Sequence, residues 1–145
     1  MRLQDSLYRI LAEKAVDSGH QFDISLNANH VIYQAHFPGE PITPGVCIMQ
    51  IAVELLEHVV QTPVQLQCVK NIKFLNIITP DEVSAVTYTF HKMTQEEGMV
   101  KVQVEVTSCA ASSFPSVPEL VEGPEGNETP PITYAKLSLI CTKSA

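Results

Sequence analysis

Several things are scarce in this chain of 145 residues, and each scarcity removes a class of function. Basic side chains are few: nine Lys and Arg stand against sixteen Asp and Glu, for a net charge of −7, which argues against nucleic acid or an anionic membrane as the main partner. Cysteines are sparse and scattered at Cys47, Cys68, Cys109 and Cys141. With no C-x-x-C pair and no clustered histidines, neither a zinc site nor a disulfide framework is expected, and no metal is implied. Long apolar runs are missing too. No window approaches the roughly 18 residues of a membrane span, and Met1 to Leu11 mixes charges into its apolar positions unlike a signal peptide, so a cytoplasmic protein is expected. No internal repeat points to a solenoid.

What is present is a hydrophobic content of 45%, enough at this length for one domain, residues 1–145, with a proper core. Residues 112–131 stand apart: they hold five of the ten prolines and Glu119, Glu122, Glu125 and Glu128, with hardly a large apolar side chain. Such a segment cannot bury enough surface to offset its ordering entropy, so it reads as a disordered Pro/Glu-rich insertion loop.

Leu3, Leu7, Ile10 and Leu11 recur at helical spacing and predict a short amphipathic surface helix. Phe22 to Leu26 alternates strictly, and His30 to Phe37 is rich in β-branched and aromatic residues; with Asn27-Ala28-Asn29 as a turn, two neighbouring strands are predicted. From Gly45 to about Val60 the apolar residues wrap nearly the whole circumference of a helix, the mark of a buried one. Its polar residues Gln50, Glu54, Glu57 and Gln61 fall at spacings of four, three and four on one stripe, which must face water, a cavity or a subunit boundary. Cys47 on this helix reads as a small apolar filler. Beyond it the pattern is β: 69–78, 83–92, 99–108 and 132–142, with turns at Thr79 to Glu82 and Gln95 to Gly98, predicting an antiparallel meander curved around the helix, an α+β fold.

The chemistry concentrates in His36-Phe37-Pro38-Gly39-Glu40-Pro41-Ile42-Thr43-Pro44-Gly45-Val46. Pro38, Pro41 and Pro44 each fix φ, so a histidine is held ahead of a stiff turn that launches the buried helix. A histidine ionises near neutral pH and suits proton transfer. His20, His30, His58 and His91 lack such a setting and default to structure or surface. At Gly45 and Val46 the helix begins, where unsatisfied backbone N–H groups and the helix dipole favour negative charge.

This stretch resembles the signature of the β-hydroxyacyl-(acyl carrier protein) dehydratases, the FabZ/FabA-like family, and a weaker likeness continues through Val69 to Leu75 and Thr79 to Glu82. The resemblance implies a hot-dog fold, an antiparallel sheet wrapped around one long central helix, acting as a homodimer or higher assembly on an acyl carrier protein or coenzyme A thioester with no diffusible cofactor. It makes His36 the base, and Phe37, Pro44, Gly45 and Val46 the residues around the thioester, with the helix start polarising its carbonyl. The family's catalytic carboxylate falls fourteen residues after the histidine, and there this chain has Gln50, with Glu54 one turn later where the family commonly has glutamine. A carboxamide cannot deliver a proton as an acid, so Gln50 weakens the expected reaction, and Glu54 stands either as a replacement or as a solvated or subunit-edge glutamate beside Glu57. The leading function is 3-hydroxyacyl thioester dehydration in fatty-acid or polyketide-type synthesis; an acyl thioesterase, or a non-catalytic subunit that binds acyl thioester or acyl carrier protein, are the alternatives.

Overall fold

The computed structural model describes residues 3–16, 19–36, 42–79, 85–108 and 132–143, with the backbone alone for Val16 and for 34–36. Six strands and two helices follow in the order β1 (Tyr8–Val16), β2 (Gly19–Leu26), α1 (Val31–His36), α2 (Gly45–Val60), β3 (Val64–Phe74), β4 (Ala85–Glu96), β5 (Met99–Ser108) and β6 (Thr133–Lys143). The strands form one antiparallel sheet in the order β1-β2-β4-β5-β6-β3.

Helix α2 has the predicted bounds, from Gly45 to Val60, and Cys47, Ile48, Ile51, Ala52, Leu55 and Leu56 are all buried. It ends where Gln61 enters the left-handed region at φ 58°, its N–H bonded to the Glu57 carbonyl at 2.8 Å. Side chains of the helix and the inner face of the sheet share one core. Strand β5 shows why: Val100, Val102, Val104 and Val106 are buried while the alternate Lys101 and Gln103 are exposed, so one face packs and the other meets water. Phe22 and Phe90 meet edge to face at 5.8 Å beneath the helix, and the Tyr88 hydroxyl donates to the Ile48 carbonyl at 3.1 Å, pinning β4 to α2. Strands β2 and β4 approach so closely at Gly19 that a Cβ there would lie 1.7 Å from the Phe90 carbonyl oxygen.

Four expectations are corrected. The predicted N-terminal helix is a turn running into β1, because Tyr8 to Ile10 pair with Leu26 to Ile24 and gain a sheet neighbour that a short solvent helix lacks. Asp5, at φ 68°, prevents a helix from forming across the turn. The predicted strand from His30 is α1. Local side-chain bonds decide this: Asn27 Oδ1 accepts from the Asn29 N–H at 3.0 Å, and His30 Nδ1 accepts from the Ile32 N–H at 3.0 Å as a cap. The sheet is not a simple meander, since among the described residues β3 pairs only with β6, at the sheet's edge. Finally, strand limits move: β3 starts at Val64 and ends at Phe74, and β4 runs to Glu96 because Glu97 and Gly98, at φ 50° and 79°, make a two-residue turn matched to strand twist. The proposed insertion at 112–131, Cys109 and Pro80 to Glu82 lie outside the described residues.

Candidate functional site

The start of α2 is held from two sides. Pro44 is the cap residue in extended conformation (φ −64°, ψ 147°), and among the described residues no side-chain hydrogen bond caps the helix. Just ahead of it, the buried Thr43 donates its N–H to the Ile78 carbonyl at 2.8 Å, and its hydroxyl lies 3.0 Å from the Tyr33 hydroxyl. Tyr33 sits three residues before His36 on α1, so this bond ties the helix that ends at His36 to the one that begins at Gly45. Burial pushes the Tyr33 phenol up despite the Thr43 bond, which keeps it a neutral structural hydroxyl. The His36 side chain and all of Phe37 lie outside the described residues.

Gly45 and Val46 form the first turn, with Val46 54% exposed. A Cβ on Gly45 would stand 2.7 Å from Cζ of Phe74, so the glycine admits an aromatic tip from the end of β3. Next to this turn opens a cavity of about 310 Å³ whose apolar wall includes Ile42, Ile48, Phe74, Ile77 and Ile78. Cys47 is buried in the same turn, and burial raises its thiol, which fits the filler role and not a nucleophile.

One turn further, the structure joins Gln50 to Glu54. The Gln50 carboxamide nitrogen donates to Glu54 Oε2 at 2.9 Å, and since a carboxylate only accepts, this fixes which end of the amide faces it. Glu54 is 1% exposed, which corrects the solvated or subunit-edge expectation. Its burial is compensated by donors. Oε2 also accepts the Leu3 N–H at 2.7 Å, and Oε1 accepts the Gln4 N–H at 2.9 Å and the Tyr8 hydroxyl at 3.0 Å. Four donors fill the two oxygens, so neither a deliverable proton nor a lone pair for an activated water is readily accommodated. Glu54 is a clamp that binds the N-terminal turn and Gln50 to α2. A second cavity, of about 480 Å³, lies along the same stripe, lined by Val46, Met49, Gln50, Val53, Glu54 and Glu57. Glu57 accepts the Val64 N–H at 3.1 Å and so fixes the start of β3.

Tyr8, Tyr33, Thr43 and Phe74 are the residues that sequence reasoning did not single out for this region; only the helical spacing of Gln50 and Glu54 announced a contact. Among the described residues, no three His, Cys, Asp or Glu side chains are grouped to hold a metal ion, and no helix is long and apolar enough to cross a membrane.

One helix against a six-stranded antiparallel sheet is the hot-dog fold, and solved structures show the same arrangement. The dehydratase heterocomplex ApeI:P of Xenorhabdus doucetiae matches with a TM-score of 0.61 at 9% identity, over 92% of this chain and 96% of that one. A hexameric thioesterase of Yersinia pestis matches at 0.51 and 10% identity, over 94% and 88%. At the level of sequence, the ApeI-like family, described as ApeI dehydratase, matches residues 12–114, and the chain belongs to it. Curated relatives are 3-hydroxyacyl-[acyl-carrier-protein] dehydratases FabZ. That of Lactiplantibacillus plantarum is 29% identical over 77% of this chain and 84% of its own length. That of Lactobacillus helveticus is 27% identical over 61% of this chain, and the match spans 65% of that relative, just under two thirds. The expected dehydratase family and fold are thus established.

Proposed function

We propose that this protein binds 3-hydroxyacyl thioesters of acyl carrier protein or coenzyme A and removes water from them. The observation that carries the reading is the uncapped start of α2 at Gly45, set beside an apolar cavity and tied through Thr43 and Tyr33 to the helix that ends at His36. The thioester carbonyl oxygen lies against the first-turn backbone N–H groups, which stabilise the negative charge that develops there. His36 takes the proton from the carbon next to the carbonyl, and the electron pair moves onto the carbonyl oxygen as an enolate. As the enolate collapses to the 2,3-enoyl thioester, the carbon–oxygen bond of the hydroxyl breaks. The imidazolium then returns the same proton to the departing hydroxide, which leaves as water. Gln50, its carboxamide nitrogen committed to Glu54, lines the neighbouring cavity along the stripe and is asked for no proton.

This assignment makes His36 both base and acid and asks no proton of Gln50 or Glu54. General acid or base groups contribute roughly 10²–10⁴-fold, so turnover is slow compared with a site that has a free carboxylate. The occupied oxygens of Glu54 favour a second reading, a non-catalytic subunit that binds the acyl thioester, and disfavour hydrolysis with Glu54 as base. The open edge at β3 supports a homodimer. Incubation with a short 3-hydroxyacyl-pantetheine thioester, followed by mass spectrometry, separates the readings: loss of water, free acid, or binding with neither. His36→Ala abolishes the loss of water while leaving the circular dichroism spectrum unchanged. Free acid as the product, or equal turnover in the variant, overturns the dehydratase reading.

A further inference from the structure

The apolar cavity beside the first turn of α2 is shaped by a contact between the end of β3 and the start of the helix. Phe74, the last residue of β3, points its ring tip at Gly45, with Cζ, Cε2 and Cε1 lying 2.7, 3.0 and 3.3 Å from where a Cβ would be. The ring occupies the space of the missing side chain. It is nevertheless 51% exposed, an unusual position for a phenylalanine, and Leu75 and Ile77 beside it are equally open.

The backbone around this ring is firmly fixed. The N–H groups of Leu75 and Asn76 both donate to the Tyr134 carbonyl, at 2.8 and 3.2 Å, and the Asn76 carboxamide donates to the Thr133 carbonyl at 2.8 Å. Further along the same lining, the bond from Thr43 to Ile78 holds the segment leading into α2. A cavity of about 310 Å³ with fixed backbone walls and apolar side chains recognises an apolar ligand by its length and bulk, and the movable part of the wall is the ring.

We infer that Phe74, seated on Gly45, is the specificity-determining residue for the acyl chain: it limits the cavity at the helix start to short or slender apolar chains. This rests on the acyl-thioester reading of the site. No catalytic step is assigned to Phe74. Its ring sets how much apolar chain can be buried next to the thioester, and a methyl group at Gly45 would displace the ring from this seat.

The test measures binding of two non-reacting saturated acyl-pantetheine thioesters, of four and of ten carbons, by calorimetry to the full chain and to Phe74→Ala and Phe74→Leu. The parent is expected to prefer the shorter ligand. Phe74→Ala should shift the ratio of affinities toward the longer one by about tenfold, the effect of about two additional buried methylenes, with Phe74→Leu between them. An unchanged ratio in both folded variants overturns the inference and leaves the acyl-thioester reading standing. If the parent binds neither ligand, that reading falls and takes the inference with it. A variant that changes the association state without changing the ratio marks Phe74 as a subunit contact and likewise overturns the inference. Phe74→Leu keeps the test available should the alanine variant not fold.

Discussion

Replacing Glu54 by glutamine alters one atom of the side chain and tests the buried clamp directly. The carboxylate accepts from four donors, two at each oxygen. A glutamine keeps one oxygen and presents an NH₂ group to the other two donors. If the nitrogen faces Leu3 and Gln50, the Gln50 amide can turn to accept but the Leu3 N–H is orphaned; if it faces Gln4 and Tyr8, the phenol can turn but the Gln4 N–H is orphaned. Either way one backbone N–H loses its acceptor, at about 1–3 kcal/mol, and the remaining bonds lose the assistance of a charge. Relief from burying that charge offsets part of this. A net loss of about 1–3 kcal/mol follows, an appreciable share of the roughly 5–15 kcal/mol that holds a domain together. Urea unfolding followed by far-ultraviolet circular dichroism measures it. A Tyr8→Phe partner variant closes a double-mutant cycle with a coupling of about 1 kcal/mol. A loss below about 1 kcal/mol together with zero coupling would refute the clamp.

Three further outcomes follow from the same geometry. Gln50→Glu places a second carboxylate at hydrogen-bond distance from the first, so the pair holds a shared proton at a pH where unfolded glutamates hold none. Stability of that variant therefore falls as pH rises through and above about 4, whereas a variant as stable as the parent at pH 7 would contradict the 2.9 Å contact. Thiol reagents should modify the exposed Cys68 well before Cys47 and Cys141, which are buried; peptide mapping reads the order, and early labelling of Cys141 refutes it. Burial, with Glu57 adding to it, raises the Cys141 thiol from 9.0 to about 11, and burial raises Tyr88 well above 10.0. Both stay neutral in the fold where the unfolded chain ionises, so their stabilisation is complete below about pH 9 and declines as pH rises toward 11. Cys141→Ala should flatten that decline in pH-dependent melting, and an unaltered slope would discount the thiol.

Much of this was legible in the residues. Apolar residues on nearly every side of a helix, broken by one polar stripe, set the limits of the sixteen-residue α2, and a β-type pattern did the same for β5, because both patterns are local and neither competes with a second period. The N-terminal segment misled for the opposite reason. Leu3, Leu7, Ile10 and Leu11 have helical spacing, but the partner that decides their conformation is β2, and pairing across a sheet leaves no trace in the spacing. The clamp was half visible: Gln50 and Glu54 lie one turn apart and had to be neighbours, yet three of the four donors to Glu54 come from Leu3, Gln4 and Tyr8, 46 to 51 residues away. No pattern in the helix announces a carboxylate that serves the far end of the chain.

The pairing of β3 with β6 has a consequence during synthesis. Val64 to Phe74 leaves the ribosome roughly 70 residues before the strand it will bond, since Val64 faces Lys143 and Phe74 faces Ala135. At a synthesis rate of about 5–20 residues per second it waits for about 4–14 s with no sheet partner. Such a segment would be an aggregation hazard if it were smooth and apolar. Instead it carries Gln65, Gln67, Lys70, Asn71 and Lys73, all exposed in the finished fold. These side chains contribute little to the folded core, and they break up the smooth apolar surface that a strand waiting for its partner would otherwise offer.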